Sequence, residues 1–298
     1  MPTVELTPAA PAPPTAATAP RRGGRHLLRG LASNRRTSIA GGFLLLVGAA
    51  ALFAPLLAPH DYRDIAGTPL TQGGVLGIDD YGRDVLSRLL IGLRTSMAVA
   101  LSAVLIAGAI GTTLGLVAGY GGRWASSIIM RGIDILLSFP PIVLAIAVVA
   151  AMGPELVNVV MVIGVLYIPR FTRIVYSQVL AIRHVEYVEA AEIMGTGRST
   201  ILLRTILPNV AAPVIVQLSL SVSFAIQMEA GLSFLGLGAQ PPLPSLGTMV
   251  GAGRDFLEVQ PTLLVYPSVL IILIVLALNV FGDGLRDLLD PRRSGTDS

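Results

Sequence analysis

Cysteine is absent from this 298-residue chain, and so is lysine. Without cysteine there is no disulfide, no thiolate metal site and no cysteine nucleophile. All 21 basic residues are arginine. A Walker A phosphate loop and a Schiff-base enzyme both need a lysine, so this chain can be neither. Any use of ATP must draw on a site in another chain. Charge is scarce: 13% of residues are charged, against about a quarter in ordinary globular domains. The net charge of +3 is small and is not interleaved with aromatics, which argues against a nucleic-acid partner. The three histidines, His26, His60 and His184, lie outside the apolar runs and near no triad partners. There is no GxSxG elbow and no HExxH.

What the chain has is apolar length. With 53% hydrophobic residues and a mean hydropathy of +0.74, it falls in the membrane class. Residues 1–20 are rich in Pro, Ala and Thr and are expected to be disordered. A cluster of arginines follows over 21–36. The next run, Ile39–Pro59, is too long for the core of a signal peptide and matches a spanning helix. Five more runs follow: Met97–Tyr120, Ile135–Met152, Leu156–Pro169 (extendable past Arg170), Val210–Met228 and Pro261–Phe281. The expected fold is an all-α integral membrane protein with six transmembrane helices. With the N-terminus inside, sixteen arginines fall in cytoplasmic pieces and five (Arg63, Arg83, Arg88, Arg94, Arg254) outside. The positive-inside rule therefore favours both termini in the cytoplasm. The expected organisation is a disordered basic tail over 1–36, a first span over 37–60 and an external loop with an amphipathic helix over 61–93. A five-helix core over 94–285 then holds a cytoplasmic loop at 176–207, and a cytoplasmic tail covers 286–298. Gly111, Gly115 and Gly119 form two overlapping GxxxG patterns, which let helix backbones approach closely.

One cytoplasmic stretch, Val185–Asn209, stays charged yet reads as helical. Glu186, Glu189 and Ala190 share a helix face at i, i+3 and i+4. Ala190 and Ala191 are strong helix formers. Gly195 and Gly197 interrupt the pattern as a turn would. Pro208 opens the next span, where its missing N–H costs nothing. Physics alone gives a short helix, a glycine turn and a rigid lead into the membrane, or else an ordinary interfacial loop.

The stretch resembles the EAA loop of ABC-importer permeases: Glu189-Ala190-Ala191, Gly195, then Thr205-Ile206-Leu207-Pro208. Thr205 stands where isoleucine is usual. GIDDYGRDVLSRLLIGLRTSM (Gly77–Met97), EAGLSFLGLGAQPPLPSLGTM (Glu229–Met249) and NVFGDGLRDLLDPR (Asn279–Arg292) resemble three further signatures of the C-type permeases of dipeptide, oligopeptide and nickel importers. Ile78 departs from a usual threonine. The resemblance implies a type I ABC importer permease fold in a bacterial plasma membrane, multi-pass and with no catalytic residues of its own. It implies a B-type permease partner, two ATPase subunits or domains that carry ATP and Mg, an external substrate-binding protein and surrounding lipid. No cofactor is expected on this chain. Glu186, Glu189, Ala190, Ala191 and Gly195 would form the coupling helix and its turn, over roughly Glu186–Met194. Leu207 and Pro208 would fix its joint to span five.

Other residues carry weaker expectations. Asp79, Asp80 and Asp84 form DDxxxD, a pattern that can hold Mg²⁺ and a diphosphate. Arg83 and Arg88 lie among them, so Asp–Arg pairing on an external helix is the expected role, with Asp79, Arg83 and Asp84 as candidates for docking the binding protein. Asp134 lies three residues after Arg131, a natural pair. Gln227 and Glu229 sit towards the outer end of span five, where an acid could line a pathway or fix the neighbouring Gly231–Gly238 break. The rival functions are a secondary transporter, which would show inverted repeats and ion-coupling charges, and an Asp-rich membrane enzyme acting on lipid diphosphates.

Overall fold

A computed structural model describes residues 34–71 and 73–289. The basic tail expected over 1–36 lies almost wholly outside the described residues, as does most of the expected C-terminal tail. Among the described residues the regular structure is helical. Eleven segments follow in order: α1 (Arg35–Leu52), α2 (Ala54–Leu57), α3 (Val85–Tyr120), α4 (Arg123–Leu137), α5 (Pro141–Met152), α6 (Leu156–Ile182), α7 (Glu186–Ile193), α8 (Arg198–Thr200), α9 (Leu207–Phe234), α10 (Leu246–Arg254) and α11 (Thr262–Leu289). A π-helical turn, Ile201–Ile206, joins α8 to α9. Five helices are long and apolar enough to cross a membrane, or six if one bent pair is counted as a single span.

Local chemistry sets the helix starts. Asn34 caps α1 by accepting from the Arg36 amide at 3.1 Å. Asp84 caps α3 through the Ser87 amide at 2.8 Å. Ser245 and Thr248 form a reciprocal capping box on α10, which satisfies two of the orphan donors at a helix start.

The third apolar run departs from a simple span. It is expected as one helix over Ile135–Met152, but α4 and α5 meet at an 86° bend. Pro140 and Pro141 explain the break: each lacks an N–H, and proline disfavours the α conformation in the residue before it. Asp134 then pairs across the bundle with Arg173 at 2.6 Å rather than with Arg131. The fourth run extends well past Pro169, so Arg170 and Arg173 lie inside α6 rather than in a cytoplasmic loop. The external amphipathic helix is not a separate element: α3 starts at Val85 and runs unbroken to Tyr120, about 54 Å at 1.5 Å per residue. Asp79 and Arg83 lie in the loop before it.

The core is built on α3 against α6. A Cβ at Gly111 would come within 2.6 Å of Phe171 Cβ, one at Gly115 within 2.6 Å of Val175 Cβ, and one at Gly119 within 2.6 Å of Val179 Cβ. The overlapping GxxxG patterns are thus a groove that α6 fills with its larger side chains. Around this pair pack α9, α11 and α5, through buried residues such as Val149, Ile163, Phe171, Ile226 and Ile274. α1 lies outermost against α11, where Gly284 makes room for Thr37. The start of α1 and the end of α11 are therefore at one end of the bundle. At the other end the His60 amide donates to Ser87 Oγ at 3.1 Å, which joins the chain after α2 to the start of α3.

Candidate functional site

The helix expected over Glu186–Met194 is present as α7, with Met194 as its C-cap. It lies at the end of the bundle where α3 and α6 finish. Its anchor is Val188, fully buried against Leu116, Val175, Val179, Ile201, Ile206 and Val210. These residues come from α3, α6, the π turn and α9, so α7 rests on four parts of the chain at once. One polar contact adds to this seat, and a second ties the end of α6 to α3 beside it. Tyr120 Oη donates to Glu192 Oε1 at 2.5 Å, and Arg183 Nη1 donates to the Gly119 carbonyl at 3.2 Å.

The rest of α7 faces outward. Glu186, Glu189 and Ala190 are exposed, as are Tyr187, Ile193 and Met194, the last two at 87% and 77%. An apolar tip flanked by carboxylates is a surface shaped to be covered. Glu186 and Glu189 lie in the first turn, where the helix dipole favours negative charge. His184 Nδ1 approaches Glu189 Oε1 at 3.7 Å, with both side chains mostly exposed. The two alanines separate: Ala190 is exposed, whereas Ala191 packs inward on the bundle. Val188 and Tyr120 carry no motif signal. An isolated valine between Glu186 and Glu189 is the trace that the sequence offered of the anchor.

Gly195 ends α7 in a left-handed conformation, φ +76°. Its amide donates to the Glu192 carbonyl at 2.9 Å and the Thr196 amide to the Ala191 carbonyl at 3.0 Å. This is a Schellman C-cap with glycine at the required position. A Cβ there would meet nothing within 4 Å, so the requirement is conformational and not steric. Beyond it, the π turn places Ile201 and Ile206 in the core. Leu207 packs on the same cluster as Val188, and Pro208 is exposed. Thr205 lies inside the π turn, and its carbonyl accepts from Asn209 Nδ2 at 2.6 Å.

The opposite end holds the Asp–Arg cluster. Asp79 Oδ1 accepts from the amides of Tyr81 and Arg83 at 2.9 and 2.8 Å. Its Oδ2 meets Arg83 Nε at 2.8 Å and Arg88 Nε at 3.3 Å. Asp84 is the α3 cap and also accepts from Ser87 Oγ at 2.6 Å. Asp79 and Asp84 are buried, at 6% and 2% exposure, so of the three docking candidates only Arg83 reaches the surface. Asp80 is part-buried, and its carboxyl is raised above its ordinary value by burial first and by the Asp79 charge second. Among the described residues no three His, Asp or Glu side chains cluster as metal ligands.

Of the two pathway candidates, Gln227 is exposed and Glu229 is fully enclosed. Glu229 Oε1 accepts from Ser233 Oγ at 2.6 Å. The hydroxyls of Ser96 and Ser245 sit beside the same carboxyl group. Ser96 Oγ in turn accepts from the Leu246 amide at 3.1 Å, and Ser245 Oγ from the Thr248 amide at 3.2 Å. Glu229 is thus enclosed where α3, α9 and α10 meet, held by Ser233 of its own helix, with Oε2 left without a hydrogen-bond partner. Glu229→Ala should lower the thermal stability of the detergent-purified chain, because an orphaned buried polar group costs about 1–3 kcal/mol. Glu229→Gln, which keeps the shape and one acceptor, should lose less. The melting temperatures of the two variants check this.

The family of binding-protein-dependent transport system inner membrane components matches residues 111–295, from the last third of α3 onward. The chain belongs to this family. It is a multi-pass membrane protein. It is 45% identical over 258 residues to a glutathione transport system permease protein of Pectobacterium atrosepticum, with 85% of this chain and 86% of the relative covered. It is 44% identical over 260 residues to a di/tripeptide transport system permease protein of Pseudomonas aeruginosa, with 84% and 86% covered. The permease of the MetNI methionine ABC transporter, solved in inward-facing conformations, superposes with a TM-score of 0.56 at 18% identity, covering 68% of this chain and 96% of that one. The helical permease fold expected from the sequence is thus the fold observed, with five unbroken spans and a bent pair where the third was expected.

Proposed function

We propose that this permease is one of two pore subunits of an ATP-driven importer for short peptides and related small solutes, and that α7 is where ATPase motion enters it. The observation that carries this reading is the two-sidedness of α7: Val188 locks it to the bundle, while Ala190, Ile193 and Met194 project beyond it. A partner pushing on that tip moves α3, α6 and α9 together, because all three share the cluster under Val188. Packed helices respond to such a push as bodies, which alternating access requires. The core would be residues 94–285, with the loop over 176–207 and both termini in the cytoplasm. The ATP and Mg sites would lie on two ATPase subunits or domains. A related B-type permease would complete the pore, and an external binding protein would deliver cargo near the loop that ends at Asp84.

The absence of native cysteine makes a direct test simple. Ala190→Cys and Met194→Cys should each form a disulfide with single cysteines placed across the surface of the co-expressed ATPase subunit. Ile65→Cys, exposed at the other end, should form none. Purified complex in proteoliposomes should take up short peptides only with ATP. Uptake without ATPase subunits would point to a secondary transporter and overturn the reading.

A further inference from the structure

Arg170 is an exposed cation in the middle of a membrane-crossing helix. It lies fourteen residues after the start of α6 and twelve before its end, about 21 Å and 18 Å along the axis. The level can be checked on α3: the next residue, Phe171, packs on Gly108 and Gly111, close to the midpoint of the uncharged run Met97–Tyr120. Helical side chains lean towards their own N-terminus. For α6 that carries the guanidinium further from the α7 end. The loop assigned to the cytoplasm opens at residue 176, so Arg170 lies six residues, about 9 Å along the axis, inside that boundary, and its lean turns the guanidinium away from the water it could otherwise reach by snorkelling.

The guanidinium is held in place. Its carbon lies 4.9 Å from the centre of the Tyr167 ring and 4.8 Å from that of Phe224 on α9. Tyr167 is buried, while Phe224 is exposed, as is Gln227 one turn further along α9. Among the described residues Arg170 has no carboxylate partner. Arg173, one turn away, does have one, Asp134 at 2.6 Å. Two aromatic faces orient the planar cation without neutralising it, and its five N–H donors are left for something outside this subunit. A charge at that depth facing hydrocarbon is costly, whereas one facing a water-filled cavity is not.

We infer that Arg170, with Phe224 and Gln227 beside it, lines the translocation pathway and receives the carboxylate of the passing substrate. The inference rests on the importer reading above and adds to it a cargo chemistry: small molecules with a free carboxylate end, which a guanidinium binds in two-point fashion.

The test uses the whole complex, with binding protein and ATPases, in proteoliposomes. The probes are alanyl-alanine and alanyl-alanine amide, each at concentrations that saturate the binding protein. Wild type should take up the free acid faster than the amide. Arg170→Met, which keeps the length and loses the charge, should lower uptake of the free acid roughly 10-fold or more, the size expected for a lost charged hydrogen bond. Amide uptake and ATPase stimulation by the loaded binding protein should change much less. Arg170→Lys, with charge but no planar fork, should fall in between, and it serves as the second variant if the Met variant fails to assemble. An unchanged acid-to-amide ratio in both variants would overturn the inference while leaving the importer reading intact. Separation of the two permeases in Arg170→Met would overturn it too, by showing a salt bridge across the subunit interface. No ATP-dependent uptake of either probe by wild type would remove the importer reading and the inference with it.

Discussion

Gly115→Val should abolish assembly of the helix bundle. A Cβ at Gly115 would sit 2.6 Å from Val175 Cβ and 2.8 Å from the Thr172 carbonyl oxygen. One obstacle is backbone and the other is the root of a side chain, so no rotamer change can clear them. The closely packed helices α3 and α6 would have to separate, and the buried residues around Phe171 and Ile163 would lose their contacts. Overpacking of an interior commonly costs about 1–3 kcal/mol and sometimes more, and in lipid close van der Waals packing is a main source of helix association. The expected result is little or no monodisperse protein after detergent extraction, with the same outcome for Gly111→Val and Gly119→Val. Gly132→Val is the matched control: Gly132 is exposed on α4 and a Cβ there meets nothing within 4 Å. Normal elution of Gly115→Val by size-exclusion chromatography would show that α3 and α6 do not pack this way.

Gly195→Val should leave a folded bundle that transports poorly. At φ +76° an L-residue is strained, and a β-branched one most of all. The cost of a left-handed residue is roughly 1–2 kcal/mol, which is small against the core but large for one eight-residue helix. The strain is relieved if the Schellman bonds from Gly195 and Thr196 open, and the exposed tip with Ile193 and Met194 then loses its fixed direction. ATP-driven uptake by the assembled complex should fall ~10-fold, in step with a penalty near 1.4 kcal/mol, with the melting temperature close to wild type. Gly195→Asn should retain much of the activity, because asparagine tolerates this conformation. Gly197→Val should be nearly neutral, since Gly197 has φ −59° and open space around it. Uptake and ATPase stimulation at wild-type levels in Gly195→Val would refute a coupling role for the α7 turn.

The difference between these two glycines shows how far the sequence can be read. Gly115 belongs to a spaced pattern, and spacing on a helix is a property of the chain. Gly195 belongs to a turn signal that the EAA resemblance placed. Both were legible before any coordinates. The helix α7 was legible as charge and small residues at helical intervals inside an apolar chain, while its proposed coupling role came only from the EAA resemblance.

The sequence did less well where two distant segments choose each other. Asp134 has a basic neighbour three residues away, yet it pairs with Arg173 on another helix, because the bend at Pro140 turns α4 across α6. The acids of the external loop suggested an exposed surface, yet Asp79 and Asp84 are consumed by a cap and two arginines. Glu229 read equally well as a pathway acid or a structural one, and only the structure shows it enclosed, with Ser233 of its own helix as hydrogen-bond partner. Arg170 was counted among cytoplasmic arginines because the uncharged run ends at Pro169. A helix with an internal proline continues past it in the membrane when neighbours satisfy the freed carbonyl, so only the structure placed that charge inside a membrane-crossing helix.

By itself, then, the sequence determined the class of the protein, the number of apolar runs, the exclusion of a lysine-bearing phosphate loop on this chain and the position of the charged helix α7. Each follows from composition or from short-range periodicity, which the chain carries along its length. The tertiary structure decided which charges are neutralised, which are buried and which stand free. Those depend on helix crossings and on one proline bend, and no interval along the chain encodes them.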